Sequence, residues 1–223
     1  MDHDDQALYT RLDLKGGTKR SALKAAFIGM ALAALAGSAS AESVLPARTT
    51  GPIQVVGPAG PTLAWIKFCE SHPDECRVDL SQPARISLNS QVWAILTRVN
   101  ERVNASILAV TDQDHWGVLD RWDFPNDGLG DCEDIQLLKR KLLVEAGLSH
   151  RAMRMAAVID EQGQGHAVLM VLTDRGDIIL DNKRNPILPW RQTGYVFVKR
   201  EGTNSRAWVA LGDQPPPFST ANR

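Results

Sequence analysis

The sequence predicts an α+β domain, with N-terminal helices packed on one side of an antiparallel sheet. Three observations predict it. Apolar residues at helical spacing come first, between Pro61 and Ala146. Strand-like runs follow from Ala152 to Leu211, joined by short turns rather than by crossover helices. The chain has 223 residues, 43% of them hydrophobic, which suffices for one core and gives no reason for a second domain.

Each element has its own signal. Residues 42–60 are rich in Pro, Gly and Thr without helical period, and read as an extended arm. Pro61 to Glu70 reads as a short helix, with Pro61 suited to its first turn. Ala84 to Ile107 holds a single apolar stripe of Leu88, Val92, Ile95, Leu96, Val99 and Val103, with Ser87 as its N-cap. Thr111 to Gly130 is an aromatic loop with Trp116, Trp122 and Phe124, punctuated by Pro125 and Gly128. A helix then runs from Cys132 to about Ala146, turning Ile135, Leu138, Leu142 and Leu143 inward and stopping at Gly147. Strands follow at Arg154–Ile159, His166–Leu172, Asp177–Leu180, Tyr195–Lys199 and Ala207–Leu211. The links Gln162–Gly165 and Asp174–Gly176 read as hairpin turns. The domain thus spans 61–213, and 214–223, opening on Pro215–Pro217, reads as a disordered tail.

The first 41 residues read as a secretory signal. Lys15, Lys19, Arg20 and Lys24 precede an apolar run from Ala25 to Ala36, and Ala39-Ser40-Ala41 offers small residues for cleavage after Ala41. The polar leader is long for such a signal, so the true start can lie downstream of Met1, and an uncleaved anchor is the alternative. The expected location is the periplasm or the exterior. A formal charge of -1 offers no footprint for nucleic acid or an anionic membrane surface. Export bears on the three cysteines. Cys69 and Cys76 bracket His72-Pro73 and suit a disulfide in an oxidising compartment. Two buried thiols, or a zinc site with His72, remain alternatives. The disulfide leaves Cys132 as the odd, reactive thiol.

Cys132 lies in Gly130-Asp131-Cys132-Glu133-Asp134, at a helix start where the positive end of the dipole and free N–H groups favour a thiolate and an oxyanion. His166 opens a strand and Asp181 closes the next. Antiparallel pairing across the Asp174-Arg175-Gly176 turn sets Asp181 opposite His166. This is the layout of a nucleophile, a general base and the carboxylate that orients it. Each has a bland reading as well: a buried inert cysteine, a strand-end histidine bonded to a loop carbonyl, an Asx turn at Asp181-Asn182.

These strings, with Phe68-Cys69-Glu70-Ser71-His72-Pro73-Asp74-Glu75-Cys76, His166-Ala167-Val168-Leu169 and Leu180-Asp181-Asn182, resemble the bacterial transglutaminase-like cysteine peptidases, which include the LapG-type periplasmic proteases. The resemblance runs from about Ile66 to Trp208. His115-Trp116-Gly117 departs from it, standing where a tyrosine-glycine is expected. It implies a papain- or transglutaminase-like fold, peptide hydrolysis by Cys132, His166 and Asp181, and calcium held by the acids matching Asp131 and Glu133, with Asp134 a possible third ligand. It also implies a surface adhesin as substrate and an inner-membrane regulatory receptor as partner. Three carboxylates beside a thiol should raise its pKa, and a cation would relieve that. Helix capping by the acids, with Asp131 as N-cap, is the alternative to a metal. Acyl transfer to an amine, and a binding module on the same fold, are the alternatives to hydrolysis.

Overall fold

The computed structural model describes residues 51–212, so the signal segment, the first part of the arm and the tail lie outside the described residues. The first helix, α1 (Leu63–Ser71), begins after Pro61, because Thr62 caps it by accepting from Trp65 N–H at 3.2 Å. A disulfide between Cys69 and Cys76, with Cα atoms 5.6 Å apart, ties its end to the 3-10 turn Pro73–Cys76. Helix α2 (Ser90–Ser106) starts later than the apolar stripe suggests. Its cap is Asn89, whose side chain accepts from Val92 N–H at 2.9 Å, not Ser87. Ser87 and Leu88 are held instead by the Asp174 carboxylate, and Ile86 exchanges backbone bonds with Leu172 and Asp174. Residues 86–88 are therefore held against the end of the β-hairpin, and helix propensity there yields to that pairing.

The aromatic loop has internal structure that its composition hides. A short helix α3 (Asp112–Trp116) is capped by Thr111 and ends on Gly117, whose φ of 73° suits glycine. A parallel pair, β2 (Leu108–Ala109) with β3 (Leu129–Gly130), fastens the end of α2 to the segment that leads into α4 (Cys132–Glu145). Helix α4 ends as expected at Gly147. The bonds Gly147 N–H to Val144 O and Leu148 N–H to Leu143 O form a Schellman motif around its φ of 89°.

The remaining strands are β1 (Val55–Ala59), β4 (Met153–Ile159), β5 (Gly165–Thr173), β6 (Gly176–Leu180), β7 (Leu188–Pro189), β8 (Val196–Glu201) and β9 (Trp208–Leu211). With β1 they form one antiparallel sheet in the order β1-β9-β8-β4-β5-β6-β7. The arm is thus in part an edge strand. Alternation along β5 sends Leu169 and Val171 into the cluster shared with the helices, and Val168, Met170 and Leu172 into a second cluster with Trp190, Tyr195 and Phe197. Both faces of the central strands are covered, which is why β5 reads as a continuous apolar run. Helix α4 packs on β5 and against α2. Its middle is anchored by Arg140, which donates to Glu201 Oε2 at 2.6 Å, while Trp65 Nε1 donates to Glu201 Oε1 at 2.7 Å. Among the described residues no helix is long and apolar enough to cross a membrane.

Candidate active site

Cys132 is the first residue of α4, half-buried at the helix start. Its thiol donates to Glu133 Oε2 at 3.0 Å and accepts from Ala167 N–H at 3.4 Å, so it touches the strand that carries His166. Gly130 just before it is required by packing. A Cβ there would sit 2.9 Å from the Asp134 Cβ and 3.1 Å from the Pro125 Cβ.

The β5–β6 hairpin pairs Leu169 with Leu180 and Thr173 with Gly176, two residues away from the register that would set Asp181 directly opposite His166. The turn is centred on Asp174 and Arg175, one residue later than pairing Asp181 with His166 would require, and moving a turn centre by one residue moves the register by two. Thr173 Oγ1, which donates to Gly176 O, holds it there. A shift of two keeps every side chain on its face, whereas a shift of one reverses it. Asp181, directly after Leu180, therefore still meets His166: Nε2 lies 2.8 Å from Asp181 Oδ1, both side chains buried. With Nε2 on the carboxylate, His166 keeps Nδ1 for another partner.

Asp181 is heavily served. Besides His166, it accepts from Tyr195 Oη at 2.5 Å and Lys183 N–H at 3.0 Å, and Arg184 Nε lies 3.5 Å away. Burial alone would raise its pKa, but the hydrogen bonds from His166, Tyr195 and Lys183 hold it at about 2. Tyr195 also packs edge-to-face on His166, with ring centroids 5.8 Å apart. Its hydroxyl is pushed up by burial and by Asp181. The sequence marks Tyr195 only as a strand start, and nothing in its spacing points to Asp181.

Acids crowd the other side of Cys132. Asp131 occupies the N-cap position without making a side-chain capping bond, and its Oδ1 is buried without a hydrogen-bond partner. Ligand atoms lie within 4.8 Å of one another in each of three sets: Asp131, Cys132 and Glu133; Asp112, Asp120 and Glu133; Asp112, Asp131 and Asp134. Asp112, from α3, is buried and accepts from Arg121 N–H. Neither it nor Asp120 is marked in the sequence, because their approach to Asp131 and Glu133 depends on the folding of the 111–130 segment. Burial first, then neighbouring charge, raises the pKa of Glu133 to about 10 and of Asp134 to about 8. The Cys132 thiol is raised well above its ordinary value by burial, then by Glu133 and Asp131, against the one favourable bond from Ala167 N–H. This crowd of oxygens, one of them unpartnered, fits a hard cation and disfavours a thiolate without one.

The Cys69–Cys76 disulfide leaves no thiolates for a zinc site with His72. His72 stacks on Phe68, with centroids 4.7 Å apart. A cavity of about 300 Å³ opens between α1 and residues 118–123, lined in part by Phe68, His72, Asp120 and Trp122. Trp122 is otherwise buried, edge-on to Trp208, whereas Trp116 is partly exposed.

A sequence profile described as the bacterial transglutaminase-like cysteine proteinases, BTLCP, matches residues 56–215. Among solved structures, Legionella pneumophila LapG is 28% identical, with a TM-score of 0.46, covering 53% of this chain and 69% of that one. A calcium-bound LapG from the same organism is 26% identical, with a TM-score of 0.46 and coverage of 58% and 74%. An EGTA-treated form is 28% identical, again with a TM-score of 0.46, over 55% and 72%. No curated protein matches. The profile covers well over half of the sequence, and the chain belongs to the bacterial transglutaminase-like cysteine proteinase family.

Proposed function

We propose that the protein hydrolyses peptide bonds in an exported protein substrate, with Cys132 as nucleophile, His166 as general base and acid, and Asp181 as its orienter. The observation that carries this reading is the His166–Asp181 hydrogen bond beside a helix-start thiol that touches the same strand. His166 takes the Cys132 proton, and Sγ attacks the peptide carbonyl. The C–N bond breaks as His166 returns the proton to the leaving amine. Water then attacks the thioester, His166 accepts its proton, and the carboxylate product leaves with Sγ as leaving group. The Cys132 backbone N–H at the helix start serves the oxyanion. Asp181, ionised at neutral pH, fixes the tautomer and stabilises the imidazolium.

Asp112, Asp131, Glu133 and Asp134, with Asp120 beside them, would hold calcium, and the unpartnered Asp131 oxygen supports this. Bound there, the ion supplies positive charge that offsets the carboxylates crowding the thiol. Export, after cleavage near Ala41, is supported by the Cys69–Cys76 disulfide. The family resemblance suggests a surface adhesin as the substrate and an inner-membrane receptor as regulator.

The test incubates the purified protein and its Cys132→Ala variant with extracted surface proteins of the source cell. Cleavage by the wild type alone is expected, with N-terminal sequencing of the products giving the site. Equal cleavage by both, or by neither, sinks the reading. Added primary amine separates hydrolysis from acyl transfer, since transfer leaves the amine covalently on the product.

A further inference from the structure

Helix α4 meets the segment that carries Asp181 through polar side chains as well as apolar ones. Gln136 Nε2 donates to Asn182 Oδ1 at 3.2 Å. Lys139 follows about one turn later on the same face, two turns after Cys132. From α2, Asn104 Nδ2 donates to Asp181 O and to Asn185 Oδ1, both at 2.9 Å, and Asn100 Nδ2 donates to Asn185 O at 2.9 Å. Two helices and residues 181–185 thus meet through one polar layer, buried at Asn100, Gln136 and Asp181 and open to solvent at Asn185.

The layer has an unbalanced inventory. Lys139 is fully buried, and its Nζ has no hydrogen-bond partner among the described residues. Asn100 Oδ1, Asn104 Oδ1 and Gln136 Oε1 are likewise buried and unpartnered. None of these oxygens bonds to Lys139 Nζ, so the charge stands without a direct hydrogen bond among the described residues. A lysine is costly where a methionine would fill the space without desolvating a charge. Burial pulls the Lys139 pKa down to about 7, and the Asp181 carboxylate pushes back against that fall. Buried groups perturbed in this way gather at functional sites.

We propose that Lys139 is a positioning residue for the triad: its buried ammonium, on the face of α4 that meets residues 181–185, supplies the positive charge that keeps the Asp181 carboxylate on His166. The inference rests on the reading of Cys132, His166 and Asp181 as a triad. It assigns Lys139 no contact with substrate.

The test compares the full-length exported protein with its Lys139→Met and Lys139→Arg variants. Lys139→Met should melt at or above the wild-type temperature, yet lose kcat on the order of ten- to a hundredfold, the scale of a misplaced catalytic group, with KM unchanged. The far-downfield proton of the His166–Asp181 bond should move upfield by NMR, and Lys139→Arg should recover part of both losses. Wild-type kcat and an unmoved His166 proton in a folded Lys139→Met overturn the proposal. If Lys139→Met does not fold, the wild-type protein carries the test: the Lys139 15Nζ resonance should shift on Asp181→Asn, and a resonance blind to that change overturns it equally. Failure of the triad reading itself looks different, because Cys132→Ala would then keep activity whatever Lys139 does.

Discussion

Replacing Asp181 with asparagine keeps volume and shape but removes one charge and one acceptor. His166 Nε2 and Tyr195 Oη each point at a different oxygen of Asp181, and asparagine offers only one oxygen, so one buried donor loses its partner. The lost charge has a magnitude of its own. Asp181 falls from its ordinary 3.8 to about 2 on folding. At 1.36 kcal/mol per unit that is about 2 kcal/mol of stability. The sign follows from linkage. A carboxyl with a depressed folded pKa contributes fully above its unfolded value and loses the contribution as pH falls through the folded one. Wild type minus Asp181→Asn should therefore be largest near neutrality, roughly halved by pH 3, and gone below pH 2. Other acids titrate in both proteins and cancel in the difference. Urea titrations at pH 7, 4 and 3, followed by tryptophan fluorescence, measure it. A difference that is the same at pH 7 and pH 3 refutes the ionised-carboxylate argument, leaving only packing. Peptidase activity should also fall, on the order of 10³–10⁴-fold, since the imidazole loses its orienting anion.

Iodoacetamide under native conditions should label Cys132 and spare Cys69 and Cys76, and Cys132→Ala should abolish hydrolysis while leaving the melting temperature nearly unchanged; equal labelling of all three by mass spectrometry overturns both the disulfide and the reactive-thiol arguments. Titrating calcium into metal-stripped protein by calorimetry should give binding heat that Asp131→Ala and Glu133→Ala each diminish, with activity lost to chelator and restored by calcium, whereas no heat at millimolar calcium removes the metal site. Glu201→Gln should destabilise by about 3–5 kcal/mol in urea, because Arg140 and Arg154 stay buried without their anion; a cost under about 1 kcal/mol would mean the network is solvated.

The helix-then-meander order was legible because period changes sharply near Ala152, and the end of α4 was legible because Gly147 has no rival as a stop. The start of α2 was not. Its apolar stripe extends back to Leu88, and only the tertiary pairing of Ile86 with β5 stops the helix there. The hairpin illustrates a useful insensitivity. A turn centred one residue later than expected set the register two residues away, yet the alternation of a strand preserves the face under any even shift, so the link between His166 and Asp181 was readable all the same. Asp112 and Tyr195 could not be reached in this way, since no local period connects them to residues 131–134 or 181. Lys139 is marked in the sequence by its spacing: it stands between Ile135 and Leu142 at helical intervals, a cation among positions that turn inward.

That displaced cation belongs to a larger pattern along α4. Residues Glu133 to Arg140 are buried without interruption, which no amphipathic surface helix permits. A helix enclosed on all sides has to satisfy its polar side chains internally, and apart from Lys139 those here reach three neighbours: Glu133 and Asp134 the 111–130 segment, Gln136 residues 181–185, Arg140 Glu201 on the sheet. The thiol at the first position therefore inherits the accuracy of three separate anchorages. Loosening any of them should move Sγ relative to the His166 strand, even from as far along the helix as Arg140. In physical terms the site is set by a rigid helix pinned at several levels, and the chemistry at its N-terminus depends on polar contacts that never meet the substrate.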